Sequence, residues 1–191
     1  MGNVMMAVSR TKVTAVTNLA ALVEHECTNL LILYRKQENL PEDMESDRLV
    51  FISHPSSQLD TKSKLQSLHT GLGKCYSLLE RAIALEEEEL DGVETTEYKN
   101  TRGRLKGELL NLLKSTGGLL KAAGGKPIKV LDDSEPYQPS NLFHLKLWVY
   151  SVLMEVKFWS STAIALLREL QAVAAKEPPK KSKKSTRSTR R

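Results

Sequence analysis

The sequence predicts a single all-α domain, an up-up-down-down four-helix bundle with two long crossover loops. Three observations predict it. Four long segments carry apolar residues at helical spacing, only one of the three connections between them is short, and no segment longer than the brief run at 49–52 reads as a β-strand. The chain has 191 residues, 40% of them apolar, which is enough for one core. We expect the bundle to occupy residues 9–176.

The first predicted helix spans about residues 9–37 and ends before Pro41, because proline cannot continue a helix. Its apolar stripe steps by three and four residues: Val13, Val16, Leu19, Ala20, Val23, Cys27, Leu30, Leu31 and Tyr34. The second predicted helix spans about residues 60–88, with Asp60 or Thr61 as its N-cap. Its stripe is Leu65, Leu68, Leu72, Cys75, Leu78, Leu79, Ala82 and Ile83.

The third predicted helix spans about residues 95–123 and ends at Gly124, Gly125 and Pro127. Its stripe is Leu105, Leu109, Leu112, Leu113, Leu119 and Leu120. Gly117 and Gly118 lie within it. They indicate either a kink or an earlier helix end, or else a flat patch that a partner approaches closely.

The fourth predicted helix spans about residues 140–176, with Ser140 as its N-cap and Pro178-Pro179 beyond its end. Its stripe is Leu145, Val149, Val152, Val156, Trp159, Ala163, Leu166 and Leu170. On a helical wheel, four apolar residues point away from this stripe: Phe143, Leu147, Met154 and Phe158. Either the first connection covers Met154 and Phe158 with Val50, Phe51 and Ile52, or this outer face binds a partner.

The lengths of the connections predict the topology. Helices of roughly 28 residues are about 42 Å long, so the turn at 89–94 is too short to run back along one of them. The second and third helices are therefore expected to be antiparallel neighbours. The connections at 39–59 and 125–139 each reach along a whole helix at roughly 3.3 Å per residue. Two long crossovers around one short turn are typical of the up-up-down-down bundle.

The two cysteines, Cys27 and Cys75, are predicted to be unpaired and buried. They lie on the apolar stripes of the first two helices, which this topology places on a diagonal of the bundle. Their Cα atoms should then be farther apart than the roughly 7 Å that a disulfide tolerates. Small buried hydrophobic side chains are the expected role of both.

The sequence contains no motif that predicts an enzyme. A P-loop, a dinucleotide-binding glycine pattern, a nucleophile elbow and a Glu-x-x-His pair are all missing. The acidic run Glu86–Glu89 lies at a helix end, and we interpret it as solvated rather than as a metal or catalytic site. We therefore predict no catalytic residue, no metal site and no cofactor.

The basic charge of the chain is concentrated in its last residues, 177–191. This segment carries seven basic residues and one acidic residue, a charge of +6 against a net +5 for the whole chain. The bundle is therefore close to neutral, and the segment is predicted to be a disordered basic tail. Residues 1–8 are expected to be flexible. Charged residues interrupt the most apolar stretch, 142–170, so no membrane insertion is expected, and no signal peptide is evident.

The run Leu142-Phe143-His144-Leu145-Lys146-Leu147-Trp148, followed by Val152-Leu153-x-Glu155 and Trp159, resembles the last helix of the interleukin-6-type cytokines. This is the long-chain helical cytokine family that includes the leukaemia inhibitory factor, ciliary neurotrophic factor and oncostatin M group. Residues 29–34 and 72–81 are similar to the first and second helices of members of this group. The disulfide framework of leukaemia inhibitory factor is missing.

The resemblance implies a secreted, monomeric cytokine that cross-links cell-surface receptors and activates Janus kinase/STAT signalling. It assigns Phe143 and Lys146, one helical turn apart, to the site that binds the leukaemia inhibitory factor receptor. A second site, for the shared signal-transducing receptor chain, would lie on the first and third helices at Ala15, Asn18, Leu22, Lys114 and Gly118. Some members of the family also use an α-receptor as a partner.

Two other classes of protein stay open as alternatives. One is an intracellular helical-bundle interaction protein whose basic tail binds nucleic acid. The tail has no aromatic residue to stack on bases, so nucleic acid is not the expected partner. The other is an exchangeable lipid-binding bundle, for which repeated amphipathic units would be expected instead of two long crossovers.

Overall fold

The computed structural model describes residues 9–41, 50, 52, 60–90, 92–127 and 137–176, with side chains to 173. The protein is an all-α four-helix bundle, as predicted. Its helices are α1 Arg10–Glu38, α2 Thr61–Glu89, α3 Thr96–Ala122 and α4 Leu142–Lys176, and these described ranges contain no strand. The predicted flexible residues 1–8, the basic tail 177–191 and most of the two long connections lie outside the described residues.

Each helix begins at a residue whose side-chain oxygen accepts the backbone N–H three positions further on. The caps are Ser9, Asp60, Thr95 and Asn141, at donor–acceptor distances of 2.7–3.3 Å. Asp60 rather than Thr61 therefore caps α2. The predicted cap of α4, Ser140, is wrong by one residue, because the amide side chain of Asn141 takes that role and the helix begins at Leu142.

The third helix continues through its glycine pair. It runs past Gly117 and Gly118 to Ala122, so an earlier helix end at this pair is wrong. Gly117 is buried, and a Cβ built on it would lie 3.1 Å from Cε1 of the His69 ring in α2. Gly118 is exposed, with open space where a Cβ would be.

The predicted stripes form the core. Every residue assigned to them is buried except Leu19, Leu78 and Ile83, which are half-buried. Their faces meet because α1 and α2 each pack against both α3 and α4. Trp159 of α4 is fully buried. None of the described helices is long and apolar enough to cross a membrane.

Contacts between helices define their register. Near its start, α1 meets the end of α4, where Gln171 Nε2 donates to Thr14 Oγ1 over 2.9 Å. Near its end, α1 meets the start of α4, where the Tyr34 hydroxyl donates to the Lys146 carbonyl oxygen over 2.7 Å. The start of α2 likewise contacts the end of α4, through an ion pair of 2.9 Å between Lys64 and Glu169.

Cys27 and Cys75 are free and buried, as predicted. The thiols donate to carbonyl oxygens of α4, that of Cys27 to Leu153 over 3.2 Å and that of Cys75 to Glu155 over 3.9 Å. Burial raises the pKa of the Cys27 thiol to about 12 and that of Cys75 well above its ordinary value. Neither thiol is therefore a nucleophile at neutral pH.

The α2–α4 contact depends on a close approach at Gly71, where a Cβ would overlap the buried indole of Trp159. We expect Gly71→Ala to lower the free energy of unfolding by about 1–3 kcal/mol, since the core must rearrange around the added methyl group. Gly103→Ala is the control, because that position is exposed with open space, and it should stabilise α3 by about 0.5–1 kcal/mol. Urea denaturation measures both. Equal effects of the two substitutions would contradict this account.

Candidate functional site

The exposed end of α4 carries an aromatic side chain that takes no part in the core. Phe143 lies in the first turn of the helix and is 65% exposed. Its neighbour Leu142 is exposed as well, and the His144 ring lies 6.1 Å from the Phe143 ring. Because the Asn141 cap fixes the first turn, the ring stands on a rigid helix end. Isolated apolar side chains are common on surfaces, but an exposed aromatic on a rigid element is typical of binding hot spots.

Lys146 lies one turn beyond Phe143, and its charge is already paired within the molecule. Its Nζ is 2.5 Å from Oε2 of Glu38 at the end of α1, and only 8% of the Glu38 side chain is exposed. About a third of the Lys146 side chain, 32%, remains exposed. The lysine therefore also joins α1 to α4, a second role that the sequence did not predict.

Aromatic packing holds the first turns of α4 in place. The ring of Tyr137, just before the helix, stacks on buried Trp148 at 4.7 Å between centroids. Arg81 of α2 donates to the Tyr137 carbonyl oxygen over 3.3 Å. The end of α4 that carries Phe143 is thus attached to both α1 and α2.

The other predicted site residues are all exposed. Ala15, Asn18 and Leu22 lie on the outside of α1, and Lys114 and Gly118 lie on the outside of α3. Later in α1 and earlier in α3, the same two helices are joined by an ion pair, in which Arg104 Nε is 3.6 Å from Glu26 Oε2. The structure places these five residues in the first half of α1 and the last third of α3.

The outer face of α4 is only partly covered. Leu147 and Met154 are half-buried, and Met154 packs against the core. Val50 and Ile52 of the first connection are buried in the core, whereas Phe51 lies outside the described residues. Phe158 is 41% exposed, about 22 Å along the helix from Phe143.

A buried polar cluster at the α2–α3 turn was not predicted. Glu87, Glu88 and Glu89 are exposed as expected, but Glu86 is only 1% exposed, so the prediction of a fully solvated acidic run is wrong there. The spacing of apolar residues in α2 did indicate that Glu86 is buried. Leu72, Cys75, Leu79 and Ala82 step by three and four, and Glu86 is the next position on that stripe.

Hydrogen bonds from α3 explain how this glutamate is accommodated. The Tyr98 hydroxyl donates to the Glu86 carboxyl group at 2.8 and 3.1 Å. Arg102 donates to both carboxylate oxygens of Glu94, at 2.9 and 3.1 Å, and lies 3.4 Å from Glu86. Burial raises the pKa of Glu86 to about 8, against the opposing effects of Tyr98 and Arg102. The folded protein therefore holds a proton on Glu86 to a higher pH than an exposed glutamate would. We call Glu86, Glu94, Tyr98 and Arg102 the buried cluster.

The buried cluster contacts the end of α1 that holds the start of α4. The Tyr98 and Tyr34 rings are 6.0 Å apart, and Tyr34 donates to the carbonyl oxygen of Lys146. The side chains from the α2–α3 turn to the start of α4 are therefore in continuous contact. This arrangement gives the exposed Phe143 turn a rigid support.

Among the described residues, no group of three or more histidine, cysteine, aspartate or glutamate side chains is placed to hold a metal ion. No protein-family model matches the chain, and no curated protein is significantly similar to it.

Proposed function

We propose that this protein is a secreted interleukin-6-type cytokine that binds a leukaemia inhibitory factor receptor-type chain and the shared signal-transducing chain, and activates Janus kinase/STAT signalling by bringing them together. The observation that carries the proposal is the exposed Phe143, on a rigid first turn of the last helix of a four-helix bundle. The ligand performs no chemistry in this mechanism. It presents two separate surfaces, and each surface binds one receptor.

The contacts between helices support an up-up-down-down topology. The start of α1 and the start of α2 both contact the end of α4, through Thr14–Gln171 and Lys64–Glu169. The end of α1 and the end of α2 both contact Tyr98 at the start of α3. In the proposed topology α1 and α2 run parallel to each other and antiparallel to α3 and α4, and these contacts are consistent with it. The proposed topology requires long crossovers at 39–59 and 125–139.

The same register supports a second surface on α1 and α3. The Glu26–Arg104 ion pair joins these two neighbouring helices, which the proposed topology makes antiparallel. Asn18 lies eight residues before Glu26 in α1, and Lys114 lies ten residues after Arg104 in α3. In antiparallel helices these two positions are therefore at the same height to within one turn. Exposed Leu22, with open space at Gly118, makes this surface apolar and flat in part. It lies towards the opposite end of the bundle from Phe143, as cross-linking two receptors requires.

Phe143→Ala is expected to weaken binding to the leukaemia inhibitory factor receptor-type ectodomain by about 2–4 kcal/mol, the range of a central hot spot. Binding to the shared chain should not change. Leu22→Arg should have the reverse pattern, because it places a charge on the other surface. Titration of each variant against each ectodomain checks both expectations, and thermal unfolding confirms that both variants are folded.

Phe158→Ala serves as a matched control, since it removes another exposed aromatic from the same helix. It should leave the leukaemia inhibitory factor receptor-type titration unchanged. Lys146→Ala is a poorer test than Phe143→Ala, because it also leaves the nearly buried Glu38 carboxylate without its partner. If Phe143→Ala binds both ectodomains as the wild type does, the assignment of this surface is wrong.

A further inference from the structure

The end of the bundle opposite Phe143 carries a large excess of positive charge. It is formed by the first halves of α1 and α2 and the second halves of α3 and α4, which are residues 10–23, 61–75, 109–122 and 160–176. These four segments, which we call the basic end, contain nine basic residues and one acidic residue, Glu169. That single carboxylate is already paired with Lys64. The other halves of the four helices contain more acidic than basic residues.

Two exposed lysines of the basic end lie where α2 begins and α3 ends. Nδ1 of the His69 ring in α2 is 3.1 Å from Oγ1 of Thr116 in α3, which joins the two helices here. Lys62 lies two turns before His69, and Lys121 lies about a turn and a half after Thr116. The buried cluster joins the other ends of the same two helices, so both lysines lie at the end away from the α2–α3 turn.

A third exposed lysine, Lys126, follows just after the end of α3. Its neighbour Pro127 lies beside that helix, because a Cβ built on Gly117 would be 3.6 Å from the proline Cβ. Lys126 is therefore held near the last turns of α3. We call Lys62, Lys121 and Lys126 the basic patch.

The basic patch is open to a partner. Its three side chains are exposed, and none of them forms an ion pair with a described residue. The carboxylate nearest to Lys62 in the sequence, Asp60, accepts the Ser63 N–H over 2.7 Å as the cap of α2. Gly118 and Gly124, on either side of Lys121, leave open space where side chains would stand. A long polyanion can therefore approach the backbone closely at this point.

The chain leaves the bundle at this same end. The Lys64–Glu169 ion pair holds the end of α4 beside the start of α2, and α4 ends at Lys176. The sequence then continues into the segment 177–191, which adds seven basic residues and one acidic residue. The basic patch and this segment thus meet at one end of the molecule, about 50 Å along α4 from Phe143.

We propose that the basic patch and the segment 177–191 bind a sulfated polysaccharide chain of the cell surface or the extracellular matrix. Charge complementarity selects a linear polyanion, because exposed cations without internal partners attract one and gain affinity from the counterions that it releases. The patch is inferred from charge and geometry, whereas the choice of an extracellular occupant rests on the proposed function. A protein held in this way still exposes Phe143 at its other end.

Two other kinds of polyanion fit this surface less well. Single-stranded nucleic acid gains affinity by stacking bases on aromatic side chains, and neither the basic patch nor the segment 177–191 contains an aromatic residue. An anionic membrane gains affinity from a broad apolar face that enters it. Among the described residues of the basic end, the only exposed large apolar side chains are Leu22 and Val173.

The test measures binding of the full chain to immobilised heparin, a sulfated polysaccharide, over a range of salt concentrations. Lys62→Glu/Lys121→Glu should weaken binding about 10-fold at physiological salt and lower the slope of log affinity against log salt by about 2, since each reversed cation no longer displaces a counterion. Lys36→Glu/Lys106→Glu is the matched control, because it changes the net charge equally outside the basic end. It should weaken binding by less than about 2-fold, since salt screens distant charges. Thermal unfolding confirms that both variants are folded.

Three results would overturn the proposal. Equal weakening by the two double variants would show that heparin responds only to net charge. A different occupant would be identified if single-stranded DNA or phosphatidylserine vesicles bound more tightly than heparin. The segment 177–191 would be the whole site if Lys62→Glu/Lys121→Glu bound heparin as the wild type does while a full-length variant with four lysines of that segment changed to glutamine lost binding. Those four are Lys180, Lys181, Lys183 and Lys184.

Receptor titrations separate this inference from the proposed function. Lys62→Glu/Lys121→Glu should bind the leukaemia inhibitory factor receptor-type ectodomain as the wild type does, because the basic patch is remote from Phe143. If the wild type binds this ectodomain but not heparin, the polysaccharide site is wrong and the proposed function stands. If it binds heparin through the basic patch but not the ectodomain, the proposed function is wrong and the polyanion site stands.

Discussion

Replacing Arg102 with methionine is expected to lower the free energy of unfolding by about 3–5 kcal/mol. This is the largest loss of stability that we expect from any single substitution in the protein. The Arg102 side chain is 5% exposed and that of Glu94 is 1% exposed. One terminal nitrogen of Arg102, Nη1, donates to both carboxylate oxygens of Glu94, at 2.9 and 3.1 Å. Methionine retains much of the side-chain volume but leaves the Glu94 carboxylate buried without its cation. Urea denaturation at neutral pH measures the loss.

Arg104→Met is the matched control for this substitution. Arg104 lies two residues further along α3, its side chain is 60% exposed, and it forms a looser ion pair of 3.6 Å with Glu26. Exposed pairs contribute about 0–1 kcal/mol, but the Glu26 side chain is only 15% exposed. Arg104→Met should therefore lower the free energy of unfolding by more than the loss of a fully exposed pair would, and by clearly less than Arg102→Met does. The double variant Arg102→Met/Glu94→Gln should recover part of the loss, because it removes the stranded carboxylate. A loss below about 1 kcal/mol for Arg102→Met would contradict the assignment of a buried pair.

Glu86→Gln is expected to remove a pH dependence of stability that the wild type has. The pKa of Glu86 is raised from 4.5 to about 8 in the folded protein. Between these two values the folded chain holds a proton that the unfolded chain has released, so rising pH favours unfolding. The stability that the proton on Glu86 contributes to the folded state is fully present below about pH 4.5 and is lost by about pH 8. Its slope is at most about 1.4 kcal/mol per pH unit.

The experiment measures the difference in unfolding free energy between wild type and Glu86→Gln, because this difference removes the pH dependence that both proteins share. This difference should change by about 2 kcal/mol from pH 6 to pH 8, with the wild type losing stability relative to the variant. Glutamine keeps the uncharged shape and still accepts from the Tyr98 hydroxyl. Glu88→Gln, at an exposed position of the same acidic run, is the control, and the difference between its unfolding free energy and that of the wild type should stay constant from pH 6 to pH 8. Parallel pH profiles for wild type and Glu86→Gln would show that Glu86 carries no such proton.

The helices and most of the core were predictable because their signals are local. Apolar residues three and four positions apart lie on one face of a helix wherever that helix packs, and capping side chains such as Asp60 act within one turn. The same reasoning predicted that Cys27 and Cys75 are buried and free. It predicted Ser140 as the N-cap of α4, whereas Asn141 is the cap, because both residue types are good caps.

The candidate site was predictable in position but not in its contacts. A helical wheel places Phe143 opposite the core stripe, and the residue is exposed. The same wheel does not reveal that Lys146 pairs with Glu38, more than a hundred residues away in the chain. Nor does it distinguish buried Glu86 from its exposed neighbours in a run of four identical residues, unless the stripe is extended through the charge.

The amino-acid sequence by itself determined the number of helices, their apolar faces and the unpaired state of the cysteines, because short-range backbone geometry and the burial of apolar surface specify these features. Only the tertiary structure decided which charges are neutralised inside the bundle. Whether Glu86 holds a proton, Arg102 pairs with Glu94 or Lys146 pairs with Glu38 depends on which side chains the packed helices bring together, across the α2–α3 turn for the first two and between α1 and α4 for the third. The free energy of ionising a side chain depends on the groups that surround it in the folded protein, and not on its position in the chain.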